Sequence, residues 1–117
     1  MRSLVVKVTV GADAAERCLQ GLTVSSVALA SGAEVSLWLT GEAVWLATPG
    51  QDVVIPESPP ASALLAAVLE AGSVTVCTQC AVRRGLSQDD LLPGIRISGA
   101  ASFVSEALEE GAQALVY

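Results

Sequence analysis

The chain has 117 residues, 52% of them hydrophobic and 15% charged, which is the length of one domain and a composition that excludes a disordered chain. Six Lys and Arg stand against twelve Asp and Glu, a formal charge of −6, and this excludes general binding to nucleic-acid phosphates or anionic lipid. Aromatics make up only 3%, so Ala, Val and Leu carry the apolar content, which suits helices packed closely on a buried sheet rather than base-stacking platforms.

Leu4 to Val10 reads as a buried strand ending in the turn Gly11, Ala12, Asp13. Asp13 with Glu16 three residues on predicts a carboxylate capping box opening a helix to Ser31, stopped by Gly32. Leu19, Leu22 and Leu29 give that helix its inward face, and Cys18 among them is a small buried hydrophobe. Glu34 to Leu39 is a second strand, and Gly41 to Ala47 a short amphipathic helical turn. Thr48 to Pro60 holds Pro49, Gly50, Pro56, Pro59 and Pro60, the composition of a mobile loop. The last two prolines are placed in the first turn of a helix continuing from Ala61 to Ala71, where Gly72 ends it.

Ser73 to Cys77 is a third strand, and Thr78 to Gly85 a short helix. Ser87 to Leu91 is a further helical turn, capped by Ser87 with Asp90, and Pro93 and Gly94 stop it. Ile95 to Ser98, Ala101 to Glu110 and Gln113 to Tyr117 close the chain as strand, helix and strand. Alternation of this kind predicts an α/β domain over residues 1–117, with helices on both faces of a parallel sheet and right-handed connections. No run of about 18 apolar residues is present to span a bilayer, and the first ten residues are too short for a signal peptide. The expected compartment is the cytoplasm, where the three cysteines stay as thiols. Trp38 and Trp45 are assigned to the core ahead of an interface.

The one chemically dense stretch is Cys77-Thr78-Gln79-Cys80-Ala81-Val82-Arg83-Arg84-Gly85. A cysteine leaving a strand into a helical turn meets free backbone amides that favour thiolate over thiol, and Arg83 and Arg84 add positive charge. Cys77 and Cys80 have the spacing of a dithiol redox pair, although the aromatic that commonly precedes such a pair is replaced by Val76. Cys77 and Arg83 also have the Cys-x5-Arg spacing of a phosphate-cradling loop. The loop lacks the glycine that would wrap an anion and the Ser or Thr after the arginine, which argues against a phosphatase.

The run "VTVCTQCAVRRGL" from Val74 to Leu86 resembles the signature of the DsrE/DsrF-like family, which includes TusD-type sulfur-relay subunits. The Gly11-Ala12-Asp13 turn, "ASGAEVSLWLTGEAV" and "FVSEALEEGAQALVY" extend the resemblance along the chain. It implies a three-layer α/β/α domain with a five-stranded parallel sheet, layered as in flavodoxins, and usually assembled as an oligomer. It also implies a small sulfur carrier in which Cys77 bears a persulfide. Cys80 is then a resolving or modulating thiol, and Thr78, Gln79, Arg83 and Arg84 form the binding surface. Sulfur-donor and sulfur-acceptor proteins are the implied partners, with self-association as a dimer, trimer or hexamer. No cofactor and no metal is implied. The rivals are a dithiol redox protein using Cys77 and Cys80, and an oligomeric adaptor with inert cysteines.

Overall fold

Strand alternation and glycine stops produce the elements in the expected order. Ser3–Val8 forms β1, Ala15–Ala30 α1, Glu34–Leu39 β2, Ala61–Ala71 α2, Ser73–Cys77 β3 and Thr78–Arg83 α3. Arg96–Ser98, Ala100–Ala107 and Ala112–Val116 follow as β4, α4 and β5. The computed structural model describes residues 2–117. All neighbouring strands are parallel, in the order β4-β3-β2-β1-β5. The chain therefore steps in one direction from β1 to β4 and returns past β1 to the other edge. With right-handed connections, α1, α2 and α3 lie on one face and α4 on the other.

The period of two then sorts the strand residues. Val6, Val8, Val35, Leu37, Leu39, Val74 and Val76 join Leu19 and Leu22 of α1 and Leu65 and Val68 of α2 in the main core. Burial of each such Leu or Val is worth roughly 1.5 to 3 kcal/mol. Where helix α1 crosses the sheet at Gly21 there is no room for a side chain. A Cβ there would lie 2.6 Å from Val8 and 3.1 Å from Tyr117. Small residues at such contacts are what the Ala-rich composition provides.

The opposite face carries Lys7, Trp38, Thr75 and Arg96, which the register places in one row across β1, β2, β3 and β4. Trp38 is 1% exposed and meets Phe103 of α4 edge to face, with ring centroids 5.5 Å apart, so it is a core residue as expected. Trp45 is half-buried. One carboxylate ties α4 to this face. Glu106 accepts from the Ser36 hydroxyl and from Trp38 Nε1 at 3.1 Å, and pairs with Arg96 at 2.8 Å.

Three local expectations change. Asp13 makes no capping box: its carboxylate accepts from the Gly11 amide at 2.8 Å and holds the turn, while α1 starts at Ala15 after a 3-10 turn, with no side-chain cap. Pro60 stands just before α2, in extended backbone, rather than in its first turn. The loop before it is anchored, since Asp52 accepts from the Ser62 amide and hydroxyl, each at 2.9 Å, and Val53 is buried. The Ser62 amide, ahead of its hydroxyl, holds the Asp52 carboxyl below its ordinary value. By contrast, Ser87 and Asp90 do form the expected cap, the carboxylate accepting from the Ser87 amide at 2.8 Å.

Candidate functional site

Because every strand runs the same way, all carboxyl ends lie along one edge of the sheet, where ligands of open α/β sheets gather. Cys77 is the last residue of β3 and the one preceding α3. It alternates with Thr75 and so faces the α4 side, and its register partner on β4 is Ser98. Its side chain is half-buried, as is that of Cys80, and Thr78 and Gln79 beside it are exposed.

Burial alone would raise the Cys77 thiol above its ordinary value. It is outweighed by the Cys80 amide, the Cys80 thiol, the Gln79 amide and the charge of Lys7, and the net shift is downward. These amides do not close a capping hydrogen bond onto the sulfur in its thiol form; their effect is to favour the thiolate. Cys18 is the opposite case. It is fully buried, and burial, with a smaller contribution from the Asp13 charge, pushes its thiol up to about 11. Within one small fold, burial therefore favours the neutral thiol at Cys18 and the strand-end surroundings favour the thiolate at Cys77.

Cys80 lies one turn along α3, half-buried against the core. Its sulfur accepts from the Gly41 amide at 3.2 Å, which couples it to the 3-10 turn Gly41–Ala47 that follows β2. Arg84 reinforces the same junction. It donates twice to Glu42 Oε2, at 2.8 and 3.1 Å, and once to the Cys80 carbonyl at 3.1 Å. The sequence placed Arg84 beside the sulfur as free charge, but here a carboxylate neutralises it. Arg83 is exposed to solvent.

The one side-chain cation among the groups that lower the Cys77 thiol is Lys7 of β1, the smallest of those contributions. Lys7 escaped the sequence reading, although Leu4, Val6 and Val8 on one face of β1 leave Val5 and Lys7 on the other, and a lysine inside a buried strand is itself a signal. Glu106, Phe103 and Gly41 were likewise missed. Among the described residues no cluster of His, Cys, Asp and Glu has the arrangement of a metal site, and no helix is long and apolar enough to cross a membrane.

Comparison with known proteins agrees with this architecture. The model of the DsrE/DsrF-like family matches residues 2–117. The uncharacterized protein MK0008 of Methanopyrus kandleri is 33% identical over 84 residues, covering 71% of this chain and 68% of that protein. Among solved structures, the ychN protein from E. coli superposes with a TM-score of 0.83 at 20% identity, covering both chains fully. MTH1491 from Methanobacterium thermoautotrophicum, titled a protein of unknown function, gives 0.74 at 13% identity, again over both full chains.

Proposed function

Because the chain belongs to the DsrE/DsrF-like family, we propose that it is a small sulfur carrier, taking sulfane sulfur as a persulfide on Cys77 and passing it to a cysteine of a partner protein. The observation that carries this reading is a strand-end thiol, only half-buried, whose ionisation is favoured by its surroundings. The Cys77 thiolate attacks the outer sulfur of a donor persulfide. A new S–S bond forms, the old one breaks, and its electron pair leaves on the donor as thiolate. The acceptor thiolate then attacks the outer sulfur of Cys77-S-SH and regenerates the Cys77 thiolate. No electrons are gained or lost overall, and no metal or cofactor takes part.

In this reading the protein works in the cytoplasm, where thiols stay reduced, and serves a donor and an acceptor protein. It also self-associates. Val104 and Leu108 at α4 and Val116 on β5 are large apolar side chains left exposed, a surface suited to a second copy; light scattering distinguishes dimer, trimer and hexamer. A second reading, a dithiol redox pair, is favoured by the Cys80 thiol standing among the groups that lower the Cys77 thiol. Intact mass spectra after incubation with a loaded cysteine desulfurase separate the two. Gain of one sulfur in wild type and Cys80→Ser, but not in Cys77→Ser, supports the carrier. Loss of two protons on mild oxidation, requiring both cysteines and without sulfur gain, supports the redox pair.

A further inference from the structure

A positive charge facing an anionic sulfur at a strand end would add to the amides that already favour it, and the two arginines of the motif do not supply one: Arg84 is paired with Glu42 and Arg83 is exposed to solvent. We propose that Lys7 is the cationic partner of the sulfur anion on Cys77, aimed at it across the α4 face of the sheet by the ring of Phe103. This rests on the carrier reading for the persulfide, while its thiolate half stands apart from that reading.

The geometry starts from the register. Lys7 pairs with Trp38, and Trp38 pairs with Thr75, so Lys7 and Thr75 are two strands apart in one row, and Cys77 is two residues further along β3. Strand spacing and rise put the Cα atoms of Lys7 and Cys77 about 12 Å apart. The four-carbon stem of lysine can span about half of that gap. Its ammonium sits over the Phe103 ring, 4.0 Å from the centroid, and the ring is itself fixed edge to face against the buried Trp38. A cation–π contact directs the ammonium without neutralising it, so its charge remains available to an anion.

The remaining charged and titratable groups around this face are accounted for. Arg96 on β4 and Glu106 on α4 pair with each other. Cys80 on α3 accepts from the Gly41 amide. Glu34 opens β2 and is exposed at the opposite end of the strands, and Glu109 follows α4 beside Ser3, Glu34 and Ser73, also at that far end. Lys7 is thus the cation on this face that the described ion pairs leave free, and it is among the groups that draw the Cys77 thiol downward. A persulfide terminus adds one sulfur beyond Sγ on the same side and meets the same charge.

The test is the pH profile of Cys77 alkylation by iodoacetamide, read on the Cys77 peptide by mass spectrometry in the full chain. Lys7→Met is expected to raise the midpoint by roughly half a pH unit or more, about threefold less thiolate at neutral pH, and Lys7→Arg to recover most of it. Lys7→Gln gives the same comparison should the methionine variant not fold. A midpoint unchanged in the uncharged variants, or raised equally in Lys7→Arg, overturns the proposal. Persulfide lifetime after loading is then compared, and a shorter lifetime in Lys7→Met is expected. A shifted midpoint in a protein that never gains sulfur supports the Lys7 pairing with thiolate and refutes the carrier function instead.

Discussion

Glu106→Ala should loosen the helix that covers the Cys77 face, by an amount that follows from its three partners. The carboxylate is the acceptor for Trp38 Nε1, and Trp38 is 1% exposed, so water has little access to replace it. An indole N–H left unpaired in a buried setting costs about 1 to 3 kcal/mol. The Ser36 hydroxyl loses its acceptor as well, about 1 kcal/mol at most because it is only partly buried. The Arg96 pair adds little, since the arginine side chain is 55% exposed and such pairs contribute roughly 0 to 1 kcal/mol. The total is about 1 to 5 kcal/mol, a fall in Tm on the order of 10 °C for a domain of this size. Glu106→Gln keeps a carbonyl oxygen for Trp38 and Ser36 and should cost about 1 kcal/mol or less. Urea denaturation followed by tryptophan fluorescence measures both. An alanine variant within about 0.5 kcal/mol of wild type, or a glutamine variant as unstable as alanine, would refute the reasoning.

Cys18 makes stability fall in alkali. Its folded-state thiol is raised from 9.0 to about 11, so folding favours the neutral form; that contribution is complete below about pH 9 and lost as pH rises through 11. The loss approaches about 2 to 3 kcal/mol, and the slope of stability against pH over this window should flatten in Cys18→Ala. Gly41→Ala should destabilise by about 2 kcal/mol or more, because Gly41 has φ +54° and a Cβ would press into the Thr9 carbonyl oxygen; urea denaturation checks this. Arg84→Met should cost about 1 kcal/mol or less and leave the alkylation midpoint of Cys77 in place. A midpoint shift there would return Arg84 to the sulfur site.

The elements were legible in the sequence because strand and helix periodicities are local, and so are their punctuation marks. Gly32 ends α1 with φ +91°, Gly72 ends α2, and Ser87 with Asp90 announces its own cap. Cys77 was legible for the same reason: a strand-end cysteine before a helical turn is a local pattern. What escaped was whatever depends on strand order. Lys7 acts on Cys77 only because β1 lies beside β2 and β2 beside β3, and nothing local to residue 7 reports this. Glu106 is some seventy positions from Ser36 and Trp38 along the chain. The pairing of Arg84 with Glu42 likewise depends on where the turn after β2 falls against α3. Asp13 shows the converse limit, since the same residue spacing serves either a capping box or a turn, and here the Gly11 amide takes the carboxylate.

Fragmentation of the protein after loading with isotopically labelled sulfane sulfur tests the central claim most directly, because it locates the atom. The account predicts one labelled sulfur on the Cys77 peptide, lost on addition of an acceptor thiol with Cys77 returned as free thiol. Label confined to Cys80 or Cys18, or a Cys77 that remains unlabelled under every donor tried, would contradict it.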